Sequence, residues 1–147
     1  PGSASVIRLG GTDIPFDRAL IAHSDGDVLI HALCDAILGA LALGDIGSHY
    51  PDTDASLAGI DSRKLLVDIA ARARALGYTV SNADMTVIAE RPKLAAFIDQ
   101  MRLVLSTDLG VDASCISVKA TTTEQLGFTG RGEGIAAQAV VLLRSES

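Results

Sequence analysis

The spacing of apolar residues alternates along the chain between two and three-to-four, and each change of period marks a new strand or helix. Ser5 to Leu9 (SVIRL) is rich in β-branched residues and stops at Gly10-Gly11, so it reads as a strand entering a turn, with Ile14 continuing the pairing. Val28, Leu29, Ala32, Leu33, Ala36, Ile37, Ala40 and Leu41 repeat with a helical period, and Asp25 and Asp27 stand at the positive N-terminal end of that helix. Gly44 to Ser62 (GDIGSHYPDTDASLAGIDS) then breaks the pattern with glycine, proline and acids, and its length makes it a candidate functional loop. Arg63 to Leu76 is a second helix, closed by Gly77 where a left-handed cap is expected. Tyr78 to Glu90 alternates as a long strand that Pro92 stops, Leu94 to Leu109 is helical up to Gly110, and Cys115 to Ala120 is again a strand. Gly134 to Leu143 fits helix or strand by period, and the glycines before it assign a strand. Strands interleaved with about three helices predict an α+β fold, a two-layer sandwich with the helices on one face of a mixed sheet.

Length and composition narrow the function more than the fold. The 147 residues form one domain, 1–147, with 48% apolar and 20% charged residues, values of a chain with a packed core. Only Phe16, Tyr50, Tyr78, Phe97 and Phe128 are aromatic, so the core is aliphatic and stacking platforms for single-stranded nucleic acid are not expected. Twelve Lys and Arg against eighteen Asp and Glu leave a net charge of −6, opposite in sign to a nucleic-acid or anionic-membrane footprint. An anionic ligand would need metal ions or a few placed cations. Cys34 and Cys115 have no CxxC partner and read as buried, reduced thiols. No apolar run reaches membrane-spanning length, and the expected compartment is the cytoplasm, with a plastid after loss of a transit peptide as the alternative.

Three stretches could carry chemistry. All three histidines lie between positions 23 and 49 among Asp25, Asp27, Asp35, Asp45, Asp52 and Asp54. Asp27, His31 and Asp35 are spaced to share one helix face, so His31 could offer a nitrogen to a metal; equally, Asp27 could serve the helix terminus and His31 a hydrogen-bonded core position. Lys119 to Glu124 (KATTTE) joins a strand end to three hydroxyls and a carboxylate, a set suited either to phosphate with a hard cation or to a capping box. Gly127 to Gly134 (GFTGRGEG) matches neither the Walker A ending nor the strand-GxGxxG-helix context and reads as a turn.

Taken together, HSDGDV at 23–28, ALGDIG at 42–47, PDTD at 51–54, DSR at 61–63, RPK at 91–93, VKATTTE at 118–124 and LGFTGRGEGIA at 126–136 resemble the 2-C-methyl-D-erythritol 2,4-cyclodiphosphate synthase family, over essentially all of the chain from Gly10 to Leu143. The resemblance implies a homotrimer with active sites between subunits. It also implies cyclisation of 4-diphosphocytidyl-2-C-methyl-D-erythritol 2-phosphate, with loss of CMP, in non-mevalonate isoprenoid biosynthesis. By the same resemblance His31 is a Zn²⁺ ligand, Glu124 helps hold Mg²⁺ or Mn²⁺, and His23 and Thr122 stabilise the transition state. Ser24, Asp45, Ile46, Gly47, Tyr50, Pro51, Asp52, Thr53 and Asp54 match substrate-binding positions. Ala89, Glu90, Arg91, Pro92, Lys93, Leu94 and Ala95 match the cytidine pocket, and Thr121, Thr123, Glu124, Phe128 and Arg131 also match binding positions. The family's zinc is completed by an Asp-x-His pair on its first strand. No such pair occurs in these 147 residues, and it is expected shortly before Pro1. The alternatives are a non-catalytic trimeric homologue that holds an isoprenoid diphosphate near Arg131 and Glu133, and a different metal-dependent phosphohydrolase.

Overall fold

The computed structural model describes residues 5–16, 26–90, 92–124, 127 and 134–146. Strands β1 (Ser5–Leu9) and β2 (Thr12–Phe16) form an antiparallel hairpin, with Leu9 opposite Thr12 across the Gly10-Gly11 turn. Both glycines have positive φ, 58° and 71°, and a Cβ would lie 2.8 Å from Met101 at the first and 2.6 Å from Val104 at the second. No other residue type satisfies both the turn and the close approach. The chain continues through helices α1 (Val28–Ala40), α2 (Ile46–His49) and α3 (Ser62–Ala75), strand β3 (Tyr78–Ile88), helix α4 (Ile98–Leu109), and strands β4 (Ile116–Thr121) and β5 (Ala136–Ser145).

The last three strands form a mixed sheet in the order β4-β3-β5, parallel between β3 and β4 across the α4 crossover and antiparallel between β3 and β5. The α+β class is therefore as expected, but the single sheet is divided, because the β1–β2 hairpin is a two-stranded sheet of its own. The Gly44 to Ser62 loop is also more ordered than expected: it contains α2 and a 3₁₀ turn at Ala55–Leu57. Asp45 and Asp54 cap these turns, a local device too short to leave a periodic trace. Helix α4 starts later than its apolar spacing suggests, after a 3₁₀ turn at Ala95–Phe97, and Gly110 closes it in the left-handed conformation.

The core lies between the sheet and the long helices α1, α3 and α4, where Leu29, Ile30, Leu33, Ile37, Leu66, Ile69, Met85 and Met101 are fully enclosed. Val80 and Ala83 both face it although they are three residues apart. A register shift between Val80 and Asn82 against β5 inserts the extra residue that makes this compatible with a two-residue strand period. The Arg63 guanidinium ties α3 to α4 through two 2.9 Å bonds to Asp108, whose side chain is only 6% exposed. Burial pushes the Cys34 thiol well up, as expected for an inert core cysteine. Cys115 corrects the expectation of two buried thiols: it sits half-buried in the turn before β4. Among the described residues no helix is long and apolar enough to cross a membrane.

Thr12 Oγ1 is the one buried side-chain polar atom among the described residues without a hydrogen-bond partner. Thr12→Val keeps the shape and removes that hydroxyl, so the unfolding midpoint should rise by roughly 2–4 °C, about 1 kcal/mol. A lower midpoint in calorimetry would show that the hydroxyl is satisfied.

Candidate functional site

Asp27 organises the start of α1. Its carboxylate, fully buried, accepts from Ile30 N–H at 3.0 Å as the helix cap and from Gly10 and Gly11 N–H at 2.9 and 2.7 Å. The hairpin turn and the helix terminus thus share one anion. His31, one turn further on, is half-buried, with Nε2 3.0 Å from the Ser62 hydroxyl at the start of α3. Asp35 is exposed and accepts from Ile46 N–H at 2.8 Å. The helix-face trio of Asp27, His31 and Asp35 therefore does not form a ligand set, because each member is turned to a different partner. Among the described residues no three His, Cys, Asp or Glu side chains converge on a metal position.

The Asp35 contact seats the start of α2. Asp45 accepts from Ser48 N–H at 2.9 Å, and the Ser48 backbone and side-chain bonds hold the Asp45 carboxyl below its ordinary range. Ile46 and Gly47 are positioned by that cap. His49 and Tyr50 turn toward α3. The Tyr50 hydroxyl donates to Asp68, and burial, with the Asp68 bond next, pushes its phenol up, so it stays a donor. Pro51, Asp52, Thr53 and Asp54 follow on the exposed surface, where Asp54 caps the 3₁₀ turn and hydrogen bonds from Ser56 keep its carboxyl ionised to lower pH than usual.

A second group gathers where β3 and β4 end. Ala89 N–H donates to Thr121 C=O at 3.0 Å, extending the parallel ladder by one rung and bringing the two strand ends side by side. Beyond that rung Ala89, Glu90, Pro92, Lys93, Leu94 and Ala95 from one segment, and Ala120, Thr121 and Thr122 from the other, enclose a cavity of about 190 Å³. Two stretches separated by some thirty residues of sequence thus share one wall; residues 45–54 are not part of it. Lys119 pairs with Asp84 across the exposed sheet face, and this hydrogen bond keeps the Asp84 carboxyl low.

Glu124 has a φ of 54°, a left-handed conformation unusual for a side-chain-bearing residue, and its N–H donates to Thr122 Oγ1 at 3.1 Å. Of the two sequence readings of KATTTE, the cap is represented by this tight turn, two residues long instead of three. The carboxylate projects from it, exposed. His23, Ser24, Arg91, Phe128 and Arg131 lie outside the described residues.

Two residues near the site were not singled out by sequence. Asp68 and Arg72, one turn apart on α3, contact Tyr50 and His49. Their only sequence signal is an acid and a base at i and i+4, which ordinarily marks a solvated helix face.

The YgbB family model matches residues 2–144. A 2-C-methyl-D-erythritol 2,4-cyclodiphosphate synthase of Geobacter metallireducens is 62% identical over 135 residues, covering 92% of this chain and 86% of the relative. Among solved structures, the bifunctional IspDF of Campylobacter jejuni superposes with a TM-score of 0.92 at 45% identity, covering 98% of this chain and 39% of that longer one. A CDP complex of IspF from Plasmodium falciparum superposes with a TM-score of 0.85 at 34% identity, covering 97% of this chain and 85% of the other.

Proposed function

Since this chain belongs to the YgbB family, whose curated relatives are 2-C-methyl-D-erythritol 2,4-cyclodiphosphate synthases, we propose how its own residues carry the family's cyclisation. The reaction is the conversion of 4-diphosphocytidyl-2-C-methyl-D-erythritol 2-phosphate to the 2,4-cyclodiphosphate and CMP, a lyase step of isoprenoid biosynthesis. The substrate's own 2-phosphate attacks the β-phosphorus and CMP leaves, so the protein supplies alignment and charge neutralisation, and no side chain acts as nucleophile.

The observation that carries the residue assignment is the cavity shared by Ala89–Ala95 and Thr121–Thr122. Its walls hold the cytidine end and keep the leaving group in line. Thr122 Oγ1 already accepts a backbone N–H, which directs its hydroxyl hydrogen outward to a phosphate oxygen. Asp45, Ile46, Gly47 and the Tyr50 to Asp54 stretch bind the erythritol phosphate end. The Plasmodium falciparum relative in complex with CDP supports a cytidine nucleotide as the ligand. His23, Ser24, Arg91, Phe128 and Arg131 keep the binding and catalytic roles that the family pattern assigns to them.

The donor types suit the two metals of the family: the exposed Glu124 carboxylate is a hard oxygen donor for Mg²⁺ or Mn²⁺, and the His31 imidazole, steadied by Ser62, is a nitrogen donor for Zn²⁺. Each supplies one ligand of a set completed by other groups. When bound, such ions neutralise diphosphate charge that a protein of net −6 cannot.

Assembly as a trimer accounts for the outer face of the sheet, where Val140 and Leu142 on β5 are 72% and 62% exposed. Covering this face with copies of the chain brings sites between subunits. The particle should run at three times 15.2 kDa in light scattering.

The test is CMP release from the family substrate with zinc and magnesium content measured on the same sample. Turnover in a metal-loaded trimer is the expected result. Binding of an isoprenoid diphosphate without turnover would favour the non-catalytic reading, and turnover only of other phosphate esters would favour a phosphohydrolase.

A further inference from the structure

The proposed substrate-binding segment is tethered to α3 by two side chains one turn apart, Arg72 and Asp68. Arg72 makes an ion pair with Asp68, Nε to Oδ2 at 3.3 Å, donates from its guanidinium to His49 Nδ1 at 3.0 Å, and lies with its guanidinium carbon 5.2 Å from the centre of the Tyr50 ring. Asp68 in turn accepts the Tyr50 hydroxyl, and His49 Nε2 is 2.7 Å from Leu43 C=O. The donors and acceptors of this network admit one arrangement. A guanidinium only donates, so Nδ1 must be the bare nitrogen; a carbonyl only accepts, so Nε2 must carry the hydrogen. His49 is thereby fixed as the neutral Nε2–H tautomer, bridging the end of α1 to α3 and holding α2 between them. Three kinds of contact, charge pairing, hydrogen bonding and ring stacking, meet on one planar group, a combination lysine cannot reproduce.

We propose that Arg72, with Asp68 behind it, is a positioning residue that locks the Ile46–Tyr50 segment in its binding-ready form and so sets affinity for the erythritol phosphate end of the substrate. The inference rests on the assignment of Tyr50 and its neighbours to substrate binding. Neither Arg72 nor Asp68 is part of the cavity wall at the β3 and β4 ends. The lock therefore acts on one end of the substrate only.

The test compares Arg72→Lys and Asp68→Asn with the unaltered metal-loaded enzyme in two assays, steady-state CMP release and direct binding of CMP by calorimetry. The expected result for each variant is a KM raised roughly tenfold, the scale of losing one desolvated cation contact and one charge-assisted bond. CMP affinity should not change, and the unfolding midpoint should fall by no more than about 2–4 °C, the scale of about 1 kcal/mol. In the double variant His49→Gln with Arg72→Lys, KM should rise no further than in Arg72→Lys alone, because both changes break the same link. A wild-type KM in Arg72→Lys, or a parallel fall in CMP affinity and midpoint, overturns the positioning role while leaving the reaction assignment intact. Absence of turnover by the unaltered enzyme overturns the assignment itself and this inference with it.

Discussion

Glu124→Gln should remove nearly all turnover while leaving the fold unchanged. Glutamine keeps the length of the side chain, and the N–H to Thr122 Oγ1 is a backbone bond that the substitution does not touch. Glu124 is exposed, so no packing is lost. What goes is a full negative charge on an oxygen donor, the property a hard divalent ion requires. If that ion neutralises the diphosphate in the transition state, its loss should slow CMP release by about 10² or more, equivalent to about 2.7 kcal/mol of transition-state stabilisation. Raising Mg²⁺ or Mn²⁺ in the assay should recover part of the rate, since weak binding responds to mass action. Zinc content and the unfolding midpoint should match the unaltered protein. A variant with normal rate at ordinary Mg²⁺ would leave Glu124 as a turn residue only.

The largest effect on folding is expected from Asp27→Ala. Three backbone N–H groups, those of Gly10, Gly11 and Ile30, lose their acceptor, all in a position closed to water. Leaving buried donors unsatisfied costs about 1–3 kcal/mol each, offset where relaxation admits solvent, which gives a loss of about 3–5 kcal/mol. Against a usual total of about 5–15 kcal/mol this brings the domain to the edge of stability. Asp27→Asn keeps one acceptor oxygen and should fall between. Urea unfolding followed by circular dichroism measures both. A shift of Asp27→Ala below about 1 kcal/mol would mean that the two glycine amides find other acceptors and that the carboxylate does not hold the turn to the helix.

The elements built on period were legible: the apolar stripe of α1, the glycine stops at Gly77 and Gly110, and the alternation of β3 all appear where the residues placed them. Features made by partners distant in sequence were not. Nothing in HSDGDV announces that Asp27 holds the amides of Gly10 and Gly11, seventeen and sixteen residues earlier. The extra residue between Val80 and Asn82 is likewise invisible, because the strand pattern reads smoothly until β5 is paired against it. For the site, the motif order marked both segments that line the cavity at the β3 and β4 ends, though not that they lie side by side. Arg72 and Asp68 carry no such mark, since charges on a helix surface look alike in sequence and only the packing of Arg72 against the Tyr50 ring sets this pair apart.

The left-handed backbone of Glu124 bears on how this protein can be improved or can drift. Ala42 and Glu124 are the two non-glycine residues with positive φ among those described, and glycine would adopt either conformation at lower cost. At Ala42, in the turn that closes α1, only backbone bonds are at stake, from its own N–H to Gly39 C=O and from Leu43 N–H to Leu38 C=O. At Glu124 the same substitution would relax the chain and delete the carboxylate. A selection scheme that rewards stability alone treats the two positions as equivalent and gains at both. If Glu124 holds the hard cation as proposed, a strained glutamate at this position gives up stability in exchange for turnover.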